Sequence, residues 1–204
     1  MYGPHVSQQK MLAAADAMVK QRGANALSLL DLGFEYCSLD DFWQPCFVEN
    51  GTATGGVQGS FHDAKGYPLV NETRFPSMKA MTDKAHSLGL KMGWYGNNCG
   101  CSEHQSVSSW GAPASSRAGQ TDEGLADGIK HYEGDVQAIV DFGIDGIKLD
   151  GCGGFRNLSV WAELLNKTGR PVLLEDCHWG QRLSCILLDC VNKKMCNSPL
   201  FSAF

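Results

Sequence analysis

Apolar residues recur along the chain at two spacings that take turns. Residues 7–22 (SQQKMLAAADAMVKQR) place Met11, Ala14, Ala15 and Met18 on one face at helical spacing, and Gly23 stands where a helix would end. Residues 34–39 then form a short strand-like run that stops at Asp40-Asp41. A second helix is predicted over 77–87, closed by Gly89, and a second strand over 90–95, running into Gly96-Asn97-Asn98-Cys99. Residues 131–142 return to helical spacing through Val136, Ile139 and Val140, with Gly143 as the stop. A third strand over 144–149 meets Asp150-Gly151-Cys152. A fourth helix (158–166) and strand (171–174) follow, the strand leading into Glu175-Asp176-Cys177-His178-Trp179. Residues 47–76 and 106–121, rich in Gly, Thr, Asn, Pro, Ser and Ala, read as long loops.

Helix and strand therefore alternate four times, which implies parallel strands joined by crossover helices. Each strand delivers polar or ionisable residues at its C-terminal end: Asp40/Asp41, Tyr95/Asn97, Lys148/Asp150 and Asp176/His178. In (β/α) barrels and open α/β sheets that end is where active sites are built.

Composition narrows the classes. The chain has 204 residues, 43% hydrophobic and 19% charged, enough to bury a core. Its net charge of −5 argues against a nucleic-acid partner, and no apolar run reaches the roughly 20 residues of a membrane span. Nine cysteines and four Asn-x-Ser/Thr sequons, at Asn50, Asn71, Asn157 and Asn166, favour an oxidising secretory compartment. The first residues lack the apolar core of a signal peptide, so the natural N-terminus is expected upstream of Met1.

Lys148 and Asp150 stand two apart on a strand, so their side chains share a face. A lysine beside an aspartate favours the ionised carboxylate, the form needed of a nucleophile or of a stabiliser of an oxocarbenium ion; a plain strand-end ion pair would look the same. Asp40-Asp41 could accept hydrogen bonds from sugar hydroxyls, bind a divalent cation, or cap the next turn. Tyr95 could hydrogen-bond a nucleophilic carboxylate. Cys99, Cys101 and His104 resemble half a zinc site, but no second ligand pair follows. A disulfide from Cys152 to either Cys99 or Cys101 fits better, because neighbouring parallel strand ends lie within bridging distance. No G-x-G-x-x-G, P-loop or G-x-S-x-G is present.

Four segments, LLDLGFEYCSLDDFW (29–43), RFPSMKAMTDKAHSLGLKMGWYG (74–96), FGIDGIKLDGC (142–152) and TGRPVLLEDCHW (168–179), resemble glycoside hydrolase family 27, the α-galactosidases and α-N-acetylgalactosaminidases. The resemblance implies an α/β fold, an incomplete (β/α)8 barrel covering about strands 2–5 over residues 7–180. Residues 181–204 are left as a divergent tail of unknown structure. It further implies a retaining hydrolase of terminal α-linked galactose, with Asp150 as nucleophile and Lys148 on the sugar. Asp40 and Asp41 would hold the outer hydroxyls, Tyr95 would lie beside the nucleophile, and Cys152 would be in the family's disulfide. His178 stands where the family commonly has Glu and joins the substrate-binding set. The resemblance implies no cofactor and no metal, a galactosyl oligosaccharide, glycolipid or glycoprotein as substrate, and a secreted, lysosomal or vacuolar location. The Arg-x-x-x-Asp spacing of the family's acid/base is not found in 181–204, where Asp189 is the only carboxylate. A non-catalytic sugar-binding fragment and a metal-dependent α/β enzyme are the alternatives. The open edges of a half-barrel predict aggregation or pairing into a homodimer.

Overall fold

The computed structural model describes residues 5–45, 61–96, 128–150 and 157–177. Four helices alternate with four strands: α1 (Gln8–Val19), β1 (Tyr36–Ser38), α2 (Met78–Ser87), β2 (Lys91–Tyr95), α3 (Gly128–Phe142), β3 (Gly146–Asp150), α4 (Leu158–Lys167) and β4 (Leu173–Cys177). All three strand pairings are parallel and the order across the sheet is β1-β2-β3-β4. Successive helices pack on one another, α1 on α2, α2 on α3 and α3 on α4, so they form one outer layer. A sheet that advances one strand at a time under one helix layer is a stretch of (β/α) barrel; a doubly wound sheet reverses its order and carries helices on both faces.

Local chemistry sets the punctuation. Ser77 Oγ accepts the Ala80 N–H at the start of α2, and Asn157 Oδ1 accepts those of Ser159 and Val160 at the start of α4. Past α2, α3 and α4 stand Gly89, Gly143 and Gly169, with φ of 79°, 77° and 70°, the left-handed conformation that ends a helix at least cost to glycine. Each helix is thereby turned straight into the next strand.

The two faces of the sheet differ. Cys37, Leu39, Met92, Trp94, Ile147 and Leu149 are buried with Met81, Ala85, Tyr132, Ile139 and Trp161 in one cluster between sheet and helices. Burying side chains of this size contributes about 1.5–3 kcal/mol each, which makes this layer the main source of stability. On the other face the register aligns Ser38 with Gly93, Gly146 and Leu173, then Tyr95 with Lys148 and Glu175, then Asp150 with Cys177. At the opposite end of the strands Asp145 accepts hydrogen bonds from Arg170 (2.6 Å), His86 (2.7 Å) and the Met92 N–H (2.8 Å), tying β2, β3, α2 and the approach to β4 together.

Boundaries differ from the sequence expectation by more than one residue in five places: β1 is confined to Tyr36–Ser38, β3 starts at Gly146 and takes in Asp150, and three more follow. α1 stops at Val19 because Lys20 is extended. α3 begins at Gly128, three residues before His131. β4 runs over Leu173–Cys177, so Glu175 and Asp176 lie inside the strand. Among the described residues no helix is long and apolar enough to cross a membrane.

Candidate active site

The alternation of β3 puts Lys148 and Asp150 on the inner face, as the two-residue spacing predicts. Lys148 Nζ lies 2.9 Å from Asp40 Oδ2 and 3.9 Å from Asp150 Oδ2, bridging two carboxylates more than a hundred positions apart in the chain. To reach Asp40, past the end of β1, it crosses β2, where its ammonium sits 5.5 Å from the centre of the Tyr95 ring. The Tyr95 hydroxyl donates to Asp150 Oδ2 at 3.5 Å. Three strand ends thus meet around one ammonium, and one oxygen of Asp150 faces both the Tyr95 hydroxyl, which donates to it, and the Lys148 ammonium, an ion-pair partner 3.9 Å away.

The Asp40-Asp41 turn has its own support. Asp40 Oδ1 accepts the Asp41 N–H (2.8 Å), and Asp41 Oδ1 accepts the Phe42 N–H (2.7 Å). Phe42 has φ 77°, left-handed and unusual for a residue with a large side chain, a conformation costing about 1–3 kcal/mol. What holds it is the next residue. Trp43 is fully buried, donates its indole N–H to the Tyr95 carbonyl (2.9 Å), lies 4.6 Å from Trp94 and meets the edge of Phe61 at 5.6 Å. The Asn71 N–H donates to the Trp43 carbonyl (2.9 Å), so the loop after the turn clamps it from a second side.

That loop is fastened to α3. His62 Nε2 is 3.0 Å from Asp135 Oδ1, both side chains buried, and the His62 ring stacks on His131 at 4.2 Å. A Cβ at Gly134 would fall 1.8 Å from the Gly66 carbonyl oxygen, so only glycine lets the loop lie this close to the helix.

Electrostatics follow from the crowding. Burial alone would lower the pKa of Lys148, but the hydrogen bond and charge of Asp40, then the charge of Asp150, outweigh it and raise the pKa above its ordinary value. Burial, then the charges of Asp41, Asp150 and Asp40, push the Tyr95 hydroxyl far up, so it remains a protonated donor at any physiological pH.

Of the residues singled out in the sequence, Asp40, Asp41, Tyr95, Lys148 and Asp150 are brought together at one end of the sheet. His178, Cys99, Cys101, His104 and Cys152 lie outside the described residues. Asp176 aligns with Leu149, on the helix-facing side, whereas Glu175 aligns with Lys148 on the inner face. Sequence reasoning missed the anchoring by Trp43, the left-handed Phe42 and the His62–Asp135 pair. Only the last left a signal, an aspartate four residues before Ile139 on the apolar face of α3.

Comparison with known proteins agrees with this geometry. A family model described as alpha galactosidase A matches residues 4–195. An alpha-galactosidase of Lachancea cidri is 26% identical over 194 residues, covering 90% of this chain and 33% of the relative. Alpha-galactosidase A of Cellvibrio japonicus is 29% identical over 186 residues, covering 88% of this chain and 36% of the relative. The solved α-galactosidase of Saccharomyces cerevisiae superposes with a TM-score of 0.56 at 24% identity, over 87% of this chain and 33% of that one. The chain spans about a third of the length of the curated relatives it matches. Matched over nearly its full length and sharing part of their barrel, the chain belongs to the alpha galactosidase A family of glycoside hydrolases, family 27.

Proposed function

We propose that this chain carries the nucleophile and the sugar-binding side of a retaining hydrolase for terminal α-linked galactose. The observation that carries this reading is the convergence of Lys148 and Tyr95 on Oδ2 of Asp150. A carboxylate fixed in this way at the mouth of a barrel can attack the anomeric carbon. The C–O bond to the leaving group then breaks as the ester to Asp150 forms, the departing oxygen takes a proton, and water later cleaves the ester. Asp40 and Asp41 accept hydrogen bonds from the outer hydroxyls of the sugar, and Lys148 holds Asp40 toward them while donating to the sugar itself. His178, just beyond β4, completes the sugar contacts, and Cys152 pairs with Cys99 or Cys101 beside the nucleophile. Substrates of this class are galactosyl oligosaccharides, glycolipids and glycoproteins, and the location is secreted, lysosomal or vacuolar. Residues 7–180 form the barrel segment and 181–204 a separate tail.

Hydrolysis of p-nitrophenyl α-galactoside by the purified chain, beside its Asp150→Asn variant, tests the reading. Turnover that falls at least about 1,000-fold in the variant is expected for loss of a nucleophile. Undiminished turnover in Asp150→Asn removes the assignment. A second reading, sugar binding without hydrolysis, is favoured by the want of an Arg-x-x-x-Asp acid/base segment in 181–204. Galactose binding by both proteins with turnover by neither would establish it, and neither binding nor turnover would end both readings.

A further inference from the structure

Where residues 61–71 meet α3 the fold places a buried polar pair, although apolar side chains would pack there at less cost in desolvation. His62 Nε2 donates to Asp135 Oδ1 at 3.0 Å with both side chains out of solvent, and the His62 ring stacks on His131 with the planes 7° apart. What a hydrogen bond supplies beyond packing is direction, because it forms at one register of the loop on the helix and at no other. Two further contacts hold the same register. Gly66 lies against Lys130 and Gly134 more closely than a Cβ would allow, and the Tyr67 hydroxyl donates to Asp141 Oδ2 at 3.1 Å.

The segment held in this way is braced within itself. The Leu69 N–H donates to the Phe61 carbonyl (2.6 Å), the Asp63 N–H donates to the Tyr67 carbonyl (2.9 Å), and Asp63 Oδ1 accepts the Lys65 and Tyr67 N–H groups. Its two ends grip Trp43. Phe61 meets the indole edge-on at 5.6 Å, and the Asn71 N–H donates to the Trp43 carbonyl at 2.9 Å. All three fastenings to α3 fall between those grips, so the seat of the loop on the helix sets the place of Trp43. Phe42, beside it, is left-handed, a conformation that a large side chain keeps only where its surroundings impose it. The Phe42 N–H is bound by Asp41 Oδ1 and the Asp41 N–H by Asp40 Oδ1, so the aim of both carboxylates depends on that strained residue.

We infer that His62 and Asp135 are positioning residues: the pair registers the loop on α3, and the loop, through Trp43, keeps Phe42 in the left-handed turn that aims Asp40 and Asp41. That the aimed carboxylates receive a sugar rests on the hydrolase proposed above; that the pair shapes the turn does not.

Hydrogen–deuterium exchange of the purified full chain, read by mass spectrometry on peptides covering 40–44 and on peptides of α4, tests the pair without substrate. In His62→Phe the amides of 40–44 should exchange about tenfold faster than in the parent, with α4 unchanged. His62→Gln, which keeps an N–H donor, should return them close to the parent rate. Tyr67→Phe loses only a half-buried hydroxyl, keeps the fold if His62→Phe does not, and should speed the same amides by about two- to threefold. Unchanged exchange at 40–44 in the folded variants overturns the inference, as does equal acceleration in α4, which would mean a general loss of stability. On p-nitrophenyl α-galactoside, His62→Phe should raise KM by about tenfold and leave kcat within about threefold, with His62→Gln again near the parent. A fall in kcat at unchanged KM would overturn the role in aiming Asp40 and Asp41 at the sugar. A parent that neither binds nor hydrolyses galactosides ends the hydrolase reading, and the exchange rates then decide the positioning role alone.

Discussion

Lys148 is the residue on which the strand ends depend, since its ammonium lies between Asp40 and Asp150 and no other lysine does this among the described residues. Lys148→Met leaves the two carboxylates facing one another across Tyr95. Activity on an aryl α-galactoside should fall by about 10- to 150-fold in kcat/KM, in keeping with loss of a charged hydrogen bond worth about 1.5–3 kcal/mol; an unchanged kcat/KM would show that the lysine only braces the fold. Tyr95 supplies a pH test. Its folded pKa is raised, so as pH climbs the unfolded chain gives up this proton first, from about pH 10, while the fold keeps it. The contribution is therefore complete below about pH 10 and is lost as pH rises further. Tyr95→Phe cannot ionise, so its melting temperature should fall less steeply than the parent's between about pH 9 and pH 11. Parallel curves would refute the buried, carboxylate-ringed phenol. The Lys148–Asp150 pairing was legible because a strand's period of two is a local property. The Trp43 anchor was not, because it rests on a carbonyl 52 residues away, and the left-handed Phe42 follows from that anchor and not from its own preference.

The helices and strands follow a grammar of cap, apolar face and closing glycine, and where the grammar is local the sequence displayed it: α2, β2 and α4 fall within a residue or so of their expected limits. β4 was displaced toward its C-terminus because the apolar run 172–174 marks only its beginning, whereas pairing with Lys148, Leu149 and Asp150 draws Glu175, Asp176 and Cys177 into the ladder. The loop at Gly66 lies against Lys130 and Gly134 in the first half of α3, a tertiary contact with no local trace. Two element ends offer measurements. Asn157→Ala removes the acceptor that caps α4 and should cost about 1 kcal/mol in urea unfolding, with Asn157→Asp close to the parent. Asp145→Ala strips one carboxylate from Arg170, His86 and the Met92 N–H at once, and should cost roughly 2–4 kcal/mol, more than the cap. If the two losses were equal, Asp145 would not be the clamp at the lower end of the sheet.

As a body, the four-stranded sheet has a consequence that neither residue nor element carries alone. β1 pairs only with β2 and β4 only with β3 among the described residues, so each outer strand turns a row of backbone groups outward. Apolar side chains crowd both borders. Leu27, Leu29, Leu32 and Phe34 (60% exposed) line the approach to β1, and Leu173 (52% exposed) opens β4 on the inner face. In a closed barrel such edges are paired and such side chains covered. Left uncovered in the purified chain, such borders would let two copies meet on them. Sedimentation velocity of the purified chain should therefore show association that grows with concentration. Phe34→Lys and Leu173→Lys together set like charges along both borders and should return the chain to monomer. Because both positions are exposed, the urea midpoint should correspond to a change within about 0.5 kcal/mol per substitution. Association unaffected by the double substitution would place the contact elsewhere, on the helix layer. A monomer that has also lost several kcal/mol would mean that Phe34 or Leu173 packs within the fold and that the borders are not open.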